Sequence, residues 1–258
     1  MARDSTQARQ SSGPSKGESV LGILRQAATE LDRPTLVLLL SAACLPVVYV
    51  YQGSPEFYLA HLGRLDDPLA PLYAQLWRFG AVAALFFLVP ALAYRLVARR
   101  PLSELGLCVG RPGAGLRTVG LLLLPLLLLL WISSADPAFL REYPMARVAA
   151  QSPGRLVAYE LAYGLYYLGW EFLFRGALQL GLRHRLGFVG ACMIQLLPSV
   201  LLHIGKPVGE TWGALVAAPV FGAVAVRSGS FLPLFLLHWC IGVANDLMCA
   251  ARQGLLTW

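Results

Sequence analysis

Val119-Gly120-Leu121-Leu122-Leu123-Leu124-Pro125-Leu126-Leu127-Leu128-Leu129-Leu130-Trp131-Ile132-Ser133-Ser134 carries no ionisable side chain. A helical run of this kind, at ~1.5 Å per residue, approaches the ~30 Å hydrocarbon core of a bilayer. Runs of the same character lie on both sides of it: Pro34 to Tyr51, Phe79 to Tyr94, Leu186 to Ile204, Trp212 to Val226 and Phe231 to Met248. Another, Leu156 to Leu182, is equally long but contains Glu160, Glu171 and Arg175. The sequence therefore predicts an all-α, polytopic membrane helix bundle of about seven transmembrane helices. Composition agrees. The 258 residues are 57% hydrophobic and 14% charged, with mean hydropathy +0.61, against about 25% charge in a soluble domain.

The net charge of +7 does not require a nucleic-acid partner. Lys and Arg gather on the cytoplasmic loops of membrane proteins. A cytoplasmic amino terminus places Arg3, Arg9, Lys16, Arg25 and Arg33 inside, followed by Arg95, Arg99, Arg100, Arg111 and Arg117 and, in later loops, Arg183, Arg185 and Arg227. The outer side receives the smaller set of Arg64, Arg78, Arg141, Arg147, Arg155, Lys206 and Arg252. The expected partner is the lipid bilayer, and the expected site is a cell membrane.

Residues 1–16 read as a disordered cytoplasmic tail. Over 17–33, Val20, Leu24, Ala27 and Leu31 recur at helical spacing, which predicts an amphipathic interfacial helix or a short helix packed on the bundle. Residues 34–258 form the transmembrane domain. The polar start lacks a signal-peptide core, so the first span is expected to be an uncleaved anchor. Cys44, Cys108, Cys192, Cys240 and Cys249 show no metal-ligand spacing and are expected to be free and mostly buried.

Chemistry concentrates in Gly169-Trp170-Glu171-Phe172-Leu173-Phe174-Arg175-Gly176. Glu171 and Arg175 are four residues apart and share a helix face, which continues back through Tyr167 and Gly164 to Glu160. Ionisable groups within a span face protein or a water-filled cavity and mark function. A structural ion pair is the plainer alternative. His203 ends one later span, and His238 lies within the last, followed by Asn245 and Asp246. A buried carboxylate can take a proton from water, one imidazole can orient that water, and a second can donate to an oxyanion. Lys206 and Glu210, near His203, are expected to form a salt bridge or to touch the charged end of a substrate.

These segments resemble the CPBP group of intramembrane proteases, which includes the CAAX prenyl endopeptidases and bacteriocin-processing enzymes. The resemblance covers a core at about 156–250. Its first motif is two glutamates, three variable residues and arginine, usually ending Phe-Arg-Gly. Glu171 matches the second glutamate, and Phe174-Arg175-Gly176 matches the ending. His203 matches the second motif, and His238, after a Gly-Ser turn and a Pro, matches the third. Trp170 replaces the first glutamate, which the family generally uses as base. Gly242 stands where an asparagine often follows the last histidine.

The resemblance implies a glutamate-type intramembrane endopeptidase with Glu171, His203 and His238 catalytic and Arg175, Glu160, Asn245 and Asp246 in support. Its peptide bond would lie near or within the membrane-anchored end of a protein, in a carboxyl-terminal sorting tail or a CAAX-like end. No cofactor is expected. Zinc held by His203, His238 and a carboxylate is the second mechanism, since catalytic zinc commonly takes three protein ligands and water. A catalytically inactive relative serving as a membrane binding or scaffold protein is the alternative function.

Overall fold

The computed structural model describes residues 19–256 and 258, and every regular element among them is helical. The expected tail over 1–16 lies outside the described residues, as do 17 and 18 of the expected interfacial helix. Helix α1 (Val20–Glu30) begins at Ser19, whose hydroxyl accepts from the Gly22 N–H at 3.1 Å. Its last carbonyl accepts from Arg185 at 3.0 Å. Asp32 caps α2 (Arg33–Gln52) by accepting from the Thr35 N–H at 2.8 Å, the standard way to satisfy a helix start.

Five more helices follow: α3 (Ala70–Leu96), α4 (Pro112–Ser133), α5 (Pro153–Leu201), α6 (Val208–Ser228) and α7 (Leu232–Arg252). With α2 they make six helices, among the described residues, long and apolar enough to cross a membrane. In hydrocarbon every backbone amide must bond within its own segment, which is why such a chain resolves into helices.

Helix α5 has 49 residues, roughly 70 Å at ~1.5 Å per residue, more than twice the thickness of a bilayer core. The chain turns at Gly187 (φ 69°, ψ 179°), which divides α5 into two arms. These arms are the two apolar runs that the sequence shows separately. A Cβ at 187 would meet nothing within 4 Å, so the positive φ rather than crowding calls for glycine there.

The centre of the bundle is the Phe172–Gly181 stretch of α5, wound as a π-helix with every residue from Phe172 to Leu180 buried. Leu38 of α2, Val82 and Phe86 of α3, and Phe231 before α7 pack around it. Phe86 meets Phe174 edge-on at 5.9 Å, and Phe172 meets Phe231 at 5.4 Å. Helix α4 is the opposite case. Leu121 and Leu124 are 77% and 74% exposed, as expected of side chains that face lipid rather than protein. The cysteines are free, but burial is divided. Cys192 and Cys249 are buried, Cys108 is intermediate, and Cys44 and Cys240 are exposed on helix faces, where lipid takes the place of a protein neighbour.

Gly169 permits the close approach of α5 to α3. A Cβ there would lie 2.6 Å from the Val82 carbonyl oxygen. Gly169→Val should therefore destabilise the protein by about 1–3 kcal/mol through overpacking. Gly120→Val, on α4 where nothing lies within 4 Å of the added carbon, should be neutral. Thermal unfolding of both variants in the same detergent checks the contrast.

Candidate active site

The first arm of α5 delivers Glu171 and Arg175 into the interior, 0% and 3% exposed. One Arg175 nitrogen lies 3.4 Å from Glu171 Oε1, and its guanidinium lies over the Phe221 ring of α6 at 5.3 Å. Helix α7 brings His238 to the same oxygen, with Nδ1 2.6 Å from Glu171 Oε1. Tyr167 and Phe221 flank the His238 ring at 4.5 and 5.8 Å. Glu171 thus joins Arg175 of its own helix and His238 of α7 at one carboxylate oxygen. Its second oxygen has no hydrogen-bond partner among the described residues.

His203 lies two residues past the end of α5, and its Nδ1 lies 2.7 Å from the Ser199 carbonyl oxygen. A carbonyl only accepts, so Nδ1 carries the hydrogen, and in the neutral ring Nε2 is left with its lone pair. The Thr211 hydroxyl donates to the His203 carbonyl at 2.9 Å and ties this turn to the start of α6. Trp170 stands edge-on to the imidazole at 5.4 Å.

His203 and His238 line one small cavity of about 40 Å³, together with Trp170, Lys206, Glu210 and tyrosines that include Tyr143 and Tyr167. A polar space of this size holds at least one water, which needs roughly 10–15 Å³. Glu171 is not part of the lining; it stands behind His238. Glu160, Asn245 and Asp246 are also outside it. Their side chains are buried, and the carboxylate oxygens of Glu160 and Asp246 find no hydrogen-bond partner among the described residues. Glu160 contributes its backbone instead, accepting from the Trp239 indole at 2.8 Å.

Lys206 and Glu210 do not pair with each other. Lys206 Nζ lies 2.5 Å from Glu142, and both Glu210 oxygens accept from the Tyr143 hydroxyl at 2.9 and 2.8 Å. Burial, and then the nearby Glu210 carboxylate, push the Tyr143 phenol well above its usual 10, so it remains a donor. The space that a side chain at 242 would use is filled by the Tyr167 hydroxyl. Sequence alone assigns these tyrosines no role. Their density in Tyr163-Gly164-Leu165-Tyr166-Tyr167, inside a span, was the available signal.

Residues 152–244 match the family model described as Rce1-like, type II CAAX prenyl endopeptidase. By that match the segment belongs to the CPBP family. No curated protein and no solved structure matches the chain. The CPBP match contains Glu171, Arg175, His203 and His238 and closes just before Asn245. The Rce1-like model describes a family of proteases, which supports a protease segment here, within a chain whose described residues include six helices long and apolar enough to cross a membrane. Among the described residues no three His, Cys, Asp or Glu side chains stand together to share a metal ion.

Removing one partner of a buried ion pair leaves the other charge uncompensated, at about 3–5 kcal/mol. Glu171→Ala should reach that range, because it strands Arg175 and frees His238. Glu171→Gln keeps an oxygen for the His238 N–H and should lose less. Equal losses on denaturant unfolding in detergent would show that Glu171 is not the electrostatic anchor.

Proposed function

We propose that the chain is an intramembrane endopeptidase that hydrolyses a peptide bond near the membrane-anchored end of a protein substrate. One observation carries this reading. Both cavity histidines commit Nδ1 to a protein acceptor, Ser199 or Glu171, so Nε2 of each ring is the nitrogen available to a molecule in the cavity. His203 Nε2 accepts a hydrogen bond from the attacking water and orients it. His238 donates Nε2–H to the oxyanion of the tetrahedral intermediate. Glu171 fixes the ring orientation and balances its charge, the part a buried carboxylate plays behind a catalytic histidine. Arg175 in turn balances Glu171. These steps use no metal.

With a cytoplasmic amino terminus, the turn from His203 to Glu210 opens on the outer side of a bacterial inner membrane. A carboxyl-terminal sorting tail suits that side better than a CAAX end, which is processed on the cytosolic face. Trp170 supports a second reading, a catalytically inactive relative that binds membrane partners.

Proteoliposomes containing the wild-type chain, presented with fluorogenic single-span tails and farnesylated CAAX peptides, separate the readings. The tail should be cut, His203→Ala and His238→Ala should each lower the rate by about 10²–10⁴, and a strong zinc chelator should leave it unchanged. If nothing is cut, the inactive relative is the better description; if both histidine variants cut as fast as wild type, the histidine mechanism fails.

A further inference from the structure

Hydrolysis in this cavity needs a group that removes a proton from water, and the carboxylate expected to do so is screened. Glu171 is 0% exposed and reaches the cavity only through His238. Position 170 does line the cavity, but an indole has a donor N–H and no acceptor. Among the described residues, the one carboxylate in the lining is Glu210.

We infer that Glu210 is the general base, supplied from the start of α6 on the wall formed after His203. The inference rests on the peptidase reading and assigns its missing proton acceptor. Three contacts support it. The Thr211 hydroxyl bonds to the His203 carbonyl at 2.9 Å, which locks the first turn of α6 against the histidine's own turn. The Tyr143 hydroxyl bridges both Glu210 oxygens at 2.9 and 2.8 Å and orients the carboxylate while leaving lone pairs open. Lys206, the nearest cation in sequence, is taken up by Glu142, so Glu210 has no salt-bridge partner among the described residues.

The chemistry then balances on these groups. The Glu210 carboxylate takes one proton from the water as its oxygen bonds to the scissile carbonyl carbon. The C=O π pair moves onto oxygen, where His238 donates. On collapse that pair re-forms the C=O bond, the C–N bond breaks, and the proton held by Glu210 passes to the leaving nitrogen. One water is consumed, giving a carboxylic acid and an amine.

The test uses the full chain in proteoliposomes with the fluorogenic single-span tail. Glu210→Gln keeps an oxygen to accept from Tyr143, so it should retain the wild-type unfolding midpoint. Its kcat should fall by about 10²–10⁴ with KM unchanged, and the acidic limb of the kcat/KM profile should disappear. Glu210→Asp, which retains a carboxylate, should recover part of the rate and the limb.

A Glu210→Gln rate within about threefold of wild type, or a slower rate that keeps the acidic limb, overturns the assignment while the peptidase reading survives, because a general base contributes about 10²–10⁴. Should Gln unfold the protein, Glu210→Asp decides: an unchanged rate and limb overturn the assignment, and a slower rate with a displaced limb supports it. A wild type that cuts nothing overturns the peptidase reading and this assignment together.

Discussion

A guanidinium and a carboxylate that share a helix face inside an apolar bundle must meet each other or another polar group, because an isolated charge removed from water is costly. Glu171 meets this constraint by engaging Arg175 at 3.4 Å and His238 at 2.6 Å through one oxygen. Much of the bundle is arranged around that carboxylate. The stretch of α5 that follows it, Phe172–Leu180, is buried on all sides, α7 must present His238 to it, and α6 must place Phe221 against both Arg175 and His238. The π-helical winding of Phe172–Gly181 begins directly after Glu171, and such windings recur at functional sites.

Structure and chemistry use the same contacts here. The Glu171–His238 bond that compensates a buried charge also fixes which imidazole nitrogen is left for a reactant. The bond from His203 Nδ1 to Ser199 does the same from the other side, within a single helical turn. The wall between them is aromatic, with Trp170 and Tyr167 against the two rings, which restricts the cavity to about 40 Å³. A space this small and this enclosed strengthens every hydrogen bond made in it. It also makes the position of one carboxylate decisive. Glu171 anchors the site from behind, and Glu210 lines the cavity itself.

The fold class was legible because lipid selects strongly on local composition. Leucine runs such as Leu121–Leu130 leave little choice of structure. The Glu171–Arg175 pairing was legible for a similar reason, since four-residue spacing fixes adjacency on a helix. His203 and His238 stood out as rare ionisable groups in apolar spans. The expectation that Lys206 and Glu210 would bridge used the same local argument and failed, because Glu142 and Tyr143, 64 and 67 residues away in sequence, outcompeted it. Glu160 shares the polar stripe of α5 with Glu171, yet it does not line the cavity of the histidines.

The sequence by itself determined that this chain is a bundle of apolar helices with a few ionisable groups inside, because period and composition act within one segment. Only the tertiary structure decided which of those groups line one cavity. That depends on how each helix is rotated about its neighbours, and on where α5 turns at Gly187, neither of which a helical period specifies. Contacts such as Glu171 to His238, 67 residues apart, arise from packing between segments rather than from spacing along one.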